Sequence, residues 1–319
     1  MSRWGLTIPL TGVRLAEQRA LIESLPDLGY TDLWTAETAG TDAFTPLALA
    51  AQWAPNLRLG TAIVPVYTRG PGLLAMSAAT IADLAPGRFV FGIGASSPAI
   101  VEKWNGIPFT EPMARTRDTL DFLRRAFAGE KISERYPSFA VEKFTLENPP
   151  AVAPPIMLAA LRPGMLRLAA RSADGAITNW LAATDVPKVR AVVGPETELA
   201  ARIFVCPTED AEAARGIGRL MISSYLTVPA YAKFQQWLGR GDILGPMWEK
   251  WAAGDRRGAN LAIPDSVVDE LVLHGPVEYC RERVREYVDN GLDTPVIAIV
   301  PTGSDLSGLA RALSPAGVR

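Results

Sequence analysis

Histidine is nearly missing from this sequence: His274 is the single imidazole in 319 residues. Clustered-histidine zinc or iron sites are thereby excluded, no metal is expected, and any Ser-His-Asp triad would have to be built around that one residue. His274 sits in Leu-Val-Leu-His-Gly-Pro, ahead of a helix-like run, where a loop or capping role is expected. Cysteine is equally scarce. Cys206 and Cys280 are too few for a disulfide framework, and Met1–Pro9 lacks the apolar helix and small-residue cleavage site of a signal peptide, so a reduced, cytoplasmic protein is expected. No run approaches the ~20 apolar residues that span a bilayer. An excess of one charge is missing too: Lys+Arg 32 against Asp+Glu 34 leaves −2, too little positive charge to recruit nucleic acid or an anionic membrane. A small-molecule substrate is the partner class left standing, and an enzyme of this composition would draw its reactive group from a cofactor.

What is present describes a packed α/β chain. Hydrophobic residues make up 48% and charged residues 21%, which suits a large core and argues against extensive disorder. Short β-branched or apolar runs at 4–9, 31–35, 57–64, 88–94, 155–159, 174–178, 199–206 and 295–300 read as strands. Helical periods fall between them at 13–26, 44–53, 72–84, 112–128, 164–172, 185–193, 209–226 and 275–290, with a closing helix at 305–313. Eight alternating strand–helix units predict an α/β fold of the (β/α)8 TIM-barrel type; a doubly wound open sheet is the alternative. One domain over 1–319 is expected, with insertions over the C-terminal mouth at about 95–111, 129–154 and 227–274. Loops this long are read as lids or binding elements, the other reading being surface decoration or a dimer contact.

Barrel enzymes work from the C-terminal ends of their strands. Those positions carry Thr11; Ala36, Glu37 and Thr38; Pro65, Val66, Tyr67 and Arg69; Ala95, Ser96 and Ser97; Ala160, Leu161 and Arg162; Asn179 and Trp180; Thr208; and Thr302. With no lysine among them a Schiff-base aldolase is disfavoured, and one acid, Glu37, cannot make a carboxylate cluster for a metal-dependent lyase. Hydroxyls, an amide, an arginine and aromatics suit the clasping of a planar ligand with a polar tail. In Ala160-Leu161-Arg162-Pro163-Gly164, a proline at the first helical position leaves free amides beside a guanidinium, an anion site or else an ordinary helix start with a solvated arginine. Gly92-Ile93-Gly94-Ala95-Ser96-Ser97 lacks the third glycine of a dinucleotide fingerprint, so close backbone approach to a ligand and a simple turn both remain open. Glu37 reads as a site residue or a helix cap, and Trp34, Trp104 and Trp180 as pocket walls or core.

Five ordered blocks carry a family resemblance: Gly29–Glu37, Leu57–Pro65, Gly87–Gly94, Val101–Gly106, and Leu158-Ala159-Ala160 continued by Pro163 and Ala173-Asp174-Gly175. Together they resemble luciferase-like monooxygenases, specifically the coenzyme F420-dependent oxidoreductases related to methylenetetrahydromethanopterin reductase. The resemblance covers nearly the whole chain and implies a homodimeric barrel binding a deazaflavin at its C-terminal mouth, with FMN as the alternative cofactor. It implies hydride transfer at the deazaflavin C5 to or from a small apolar or aromatic substrate, in the reductive direction; an FMN-dependent monooxygenase and a non-catalytic ligand-binding barrel are the other readings. By matching position, Glu37 lies near the ring, Ala62-Ile63 forms a cis-peptide bulge behind it, and Ala95 and Ser96 line the same site. Ala160, Leu161, Arg162 and Gly164, with Asn179, approach the phosphate region. Tyr67, Trp104 and Trp180 are the expected substrate pocket. Glu37, Thr38 and Ser97 are the candidate catalytic residues. Sugar-phosphate-oxidising relatives place histidine at the Thr38 position and glutamate at that of Ser97, so this chain is not expected to deprotonate an alcohol in their manner. Leu161-Arg162 also replaces a common Gly-Gly or Gly-Pro approach.

Overall fold

Eight short runs, buried over most of their length, form parallel strands, since both faces of each are covered. A computed structural model describes residues 3–303 and 305–316. The strands are β1 (Gly5–Thr7), β2 (Asp32–Thr35), β3 (Arg58–Thr61), β4 (Phe89–Gly94), β5 (Ile156–Ala159), β6 (Gly175–Asn179), β7 (Glu198–Pro207) and β8 (Thr294–Ile299). They pair in chain order, and β8 closes onto β1, completing the parallel barrel. Each predicted strand has its counterpart within about two residues, and the helix predicted at 44–53 is Phe44–Trp53.

Alternation along each strand sorts the barrel interior into layers. At the N-terminal end Arg58 donates to Glu198 at 2.6 and 2.9 Å and pairs with Asp32, while Thr294 donates to Glu198 at 2.7 Å. Above this plug sit Trp34, Val90, Met157, Ile177, Ala200 and Val296. Trp34 has room because Gly60 faces it: a Cβ there would stand 2.4 Å from the indole. The next layer, toward the C-terminal mouth, brings in Gly94, Ala159, Asn179 and Arg202. That change from large to small and polar side chains opens the top of the barrel.

The insertions are structured. Residues 95–111 include the π-helical segment Ala99–Trp104, and 129–154 hold an antiparallel hairpin, Ile132–Arg135 with Ala140–Phe144. Residues 227–274 carry four helices, Pro229–Leu238, Gly241–Ala252, Arg256–Leu261 and Asp265–Leu271, and a strand, Val272–Gly275, that extends the pairing of β7. Helix Ala211–Leu226 packs with this group, and Val277–Asp289 is the helix lying against β7 and β8. A second core joins the upper residues of β7 and β8, Phe204, Cys206, Ala298 and Val300, to Trp180 and the insertion helices, so the insertion covers that side of the mouth.

Candidate functional site

At the top of β3 the chain turns through a cis peptide between Ala62 and Ile63 and then pairs with the end of β4 through Val64–Pro65. The bulge is held from below: Ala62 N–H donates to Thr35 O at 2.6 Å, and Ile63 O accepts from Glu37 N–H at 3.3 Å. Beside it the side chains are small. A Cβ on Gly94 would fall 2.6 Å from that of Ala159, and Ala160 is buried with its N–H donating to Ile177 O at 2.8 Å. Ala95, Ser96 and Ser97 follow directly. Ser96 takes the left-handed conformation, φ 65°, and Ser97 Oγ accepts from Ile100 N–H at 3.4 Å as the helical segment begins. The tops of β3, β4 and β5 thus present backbone and small side chains, with the Ile63 side chain beside Gly94.

Glu37 is not a free acid. Arg69 grips both carboxylate oxygens at 2.6 Å, and Ala43 N–H donates to one of them at 3.1 Å, just ahead of the helix Phe44–Trp53. Every oxygen therefore has a donor, and the side chain ties β2 to the loop after β3 and to the residue ahead of the helix, whose first amides Asp42 accepts. Thr38 beside it is exposed.

Arg162 is exposed, in extended backbone immediately before the helix Pro163–Ser172. Leu166 N–H is the first to find an intrahelical acceptor, Arg162 O at 3.0 Å, which leaves the amides of Gly164 and Met165 open. Leu161 is half-buried against the main core.

The three aromatics expected to form the substrate pocket have different surroundings. Tyr67 is buried, donates to Thr110 O and packs on Phe109 with ring centroids 5.2 Å apart, fastening the 95–111 insertion to the barrel. Trp104 is 58% exposed at the end of the π-helical segment. Trp180 is buried under the insertion helices, 4.3 Å from Phe204 and 5.3 Å from Tyr225, with its indole N–H lacking a partner. His274 meets Asp269 at 2.8 Å, and Arg215 holds the same carboxylate at 2.7 and 2.9 Å, so the lone imidazole serves an ion-pair cluster.

Two interior residues were not among the strand-end candidates. Thr7 Oγ1 and Arg202 Nε are buried without a partner. Arg202 stands next to Asn179 in the register of β7 and β6, with Tyr225 and Tyr231 near its charge. Desolvation pulls its pKa down and pushes that of Tyr231 up, the latter offset in part by the Asn179 amide. A signal existed: Arg202 is the one charged residue in the otherwise apolar run Leu199–Cys206. Among the described residues no group of three His, Cys, Asp or Glu is arranged to hold a metal ion, and no helix is long and apolar enough to cross a membrane.

Comparison with known proteins matches this architecture over most of its length. The chain is 27% identical to a Mycobacterium tuberculosis protein assigned by name to the coenzyme F420-dependent oxidoreductases, covering 92% of this chain and 94% of that one. It is 25% identical to the 5,10-methylenetetrahydromethanopterin reductase of Methanolobus tindarius, covering 91% and 89%. Among solved structures, the coenzyme F420-dependent tetrahydromethanopterin reductase of Methanopyrus kandleri superposes with a TM-score of 0.81 at 17% identity, covering 99% and 98%. The oxygenating constituent of 3,6-diketocamphane monooxygenase from Pseudomonas putida, solved with FMN, gives 0.65 at 14% identity, covering 100% and 99%. The family model for luciferase-like monooxygenases spans residues 5–294, and the chain belongs to that family.

Proposed function

We propose that the chain is an F420-dependent oxidoreductase, one barrel domain with its insertions as covering elements, that reduces a small flat acceptor. The observation carrying this reading is the make-up of the mouth: a bed of small residues with its one nearby acid, Glu37, already occupied by Arg69. Such a site positions reactants and is poorly equipped to abstract a proton. A bound deazaflavin supplies a hydride donor or acceptor at its C5.

The residues present suit that group. Ala62-Ile63, Gly94, Ala95 and Ala159 back the ring plane, and Ser96 and Asn179 offer polar atoms at its edge. Arg162, with the open amides of Gly164 and Met165, faces the anionic tail. Ala160 and Leu161 lead the chain from the ring bed to that helix start. The Glu37–Arg69 pair holds the Ala62-Ile63 bulge through the Glu37 N–H to Ile63 O bond. Protonation of the reduced acceptor falls to solvent or to a hydroxyl at the mouth, Thr38 or Ser97. The proposed assembly is a homodimer, supported by the exposed Leu73 and Met76 on the helix Pro71–Leu84 and by Met113 at the head of Pro112–Phe127.

The test is anaerobic turnover. Reduced F420 with a panel of enones and imines is compared with oxidised F420 and glucose 6-phosphate. Oxidation of reduced F420 by members of the panel is expected. Robust sugar-phosphate oxidation without reduction of any acceptor overturns the reading.

A further inference from the structure

Half-buried guanidinium groups in this fold commonly find acceptors: Arg88 and Arg115 donate to backbone carbonyls, and three others meet carboxylates. Arg58 meets Glu198 at 2.6 Å, Arg69 meets Glu37 at 2.6 Å and Arg240 meets Asp185 at 2.8 Å. Arg202 breaks the pattern. It faces the barrel interior one layer above Ala200, and its Nε is buried with no acceptor. The groups near its charge are the phenols of Tyr225 and Tyr231, and its guanidinium lies 5.1 Å from the Phe204 ring centroid. Those rings continue into Trp180, which contacts both Phe204 and Tyr225, and Tyr231 packs edge-on to Tyr225 at 6.0 Å. A buried guanidinium nitrogen without an acceptor is costly, and a guanidinium offers a planar fork shaped for a carboxylate.

We propose that Arg202, flanked by Tyr231 and Asn179 and walled by Trp180, Phe204 and Tyr225, forms a pocket for the carboxylate of a flat aromatic or conjugated acid, which fixes the substrate class of the mouth. The pocket rests on the reading of this mouth as a substrate site. The ring bed at Gly94 and Ala159 and the tail site at Arg162 leave Arg202 unused, and it stands under the insertion helices, across the interior from the Ala62-Ile63 bulge. A conjugated acid anchored there directs its double bond toward the bed. Arg202 anchors and orients; it takes no proton.

Isothermal titration calorimetry of the purified protein, with and without F420, tests this with cinnamate, cinnamamide and inorganic phosphate as probes. Wild type is expected to bind cinnamate about 10-fold or more tighter than the isosteric amide, the usual span of a charge-assisted contact. Arg202→Met should bring acid and amide to equal affinity. Arg202→Lys, which keeps the charge and loses the fork, should restore part of the preference and serves as the second variant where the methionine protein does not fold. Equal affinity of acid and amide for wild type, no acid binding, an undiminished preference in both variants, or phosphate binding as tight as cinnamate each overturns the pocket. So does a preference unchanged in Arg202→Met while F420 affinity collapses, which assigns the arginine to the cofactor. Absence of F420 binding with the acid preference intact sinks the proposed F420 chemistry and leaves the pocket standing.

Discussion

At the residue scale, ion pairs hold the barrel floor and the Glu37 loop, while Arg202 Nε has no acceptor among the described residues. Glu198 is half-buried, which alone would raise its pKa, but donation from Arg58 and Thr294 outweighs this and holds the carboxyl below the usual range. A depressed folded value means stabilisation that is complete above the ordinary glutamate pKa of ~4.3 and is lost as pH falls through the lower folded value. Arg58→Met strands Asp32 and Glu198 together in the barrel floor, and breaking a buried pair costs on the order of 3–5 kcal/mol. Denaturant titrations of wild type and variant should therefore differ most at neutral pH and converge as the carboxylates protonate. A gap independent of pH contradicts the plug. Glu37 also shows what sequence alone conceals. Read as the lone strand-end acid, it looks available, and its engagement depends on Arg69, which lies 32 positions away and is brought alongside only by the turn after β3. Arg202 went unread for the opposite reason: it lies within a strand, and only the closed barrel turns that position inward.

At the element scale, the strand and helix boundaries were legible because each is set locally. Pro71, Pro112 and Pro163 open helices, and alternation with compact apolar runs marks the strands. The helix Ala211–Leu226 was legible as a helix but not as a member of the covering group, since its apolar face fits either a barrel wall or another helix. The start of Pro163–Ser172 carries a direct prediction. If Arg162 and the open amides hold the anionic tail, Arg162→Ala removes a contact worth ~1.5–3 kcal/mol and weakens F420 binding about 10- to 150-fold, with wild-type thermal stability. Matched affinities at the same ionic strength would mean a solvated arginine. Packing between β3 and β4 supplies another. A Cβ on Gly92 would stand 1.9 Å from Thr61 O, a backbone atom held in the ladder. Gly92→Ala should cost at least the ~1–3 kcal/mol typical of overpacking, read as a lower unfolding midpoint in urea; an unchanged midpoint contradicts the close approach of these strands.

At the scale of the whole molecule, exposed apolar side chains lie on several helices, Leu220 and Leu261 as well as Leu73, Met76 and Met113. Leu73 and Met76 are 53% and 48% exposed on the helix Pro71–Leu84. A second copy burying the face that Leu73 and Met76 share is the proposed assembly. Sedimentation of wild type should give a dimer, and Leu73→Glu with Met76→Glu should give monomer that keeps its fold by circular dichroism; a monomeric wild type removes the assembly. The eight strand–helix units were legible from alternation, because barrel closure follows from repeated parallel crossovers. The expectation for what the mouth binds came only through the family resemblance, since small residues such as Gly94 and Ala159 leave no chemical signature until the strands bring them together.

The central claim is that this mouth holds a deazaflavin. Fluorescence titration of the apoprotein with F420 and, separately, with FMN in the same buffer tests it most directly. The account predicts tighter binding of F420, with affinity falling as salt screens its phosphate and carboxylate tail from Arg162 and the adjoining helix start. Tighter binding of FMN, or no binding of either, contradicts it.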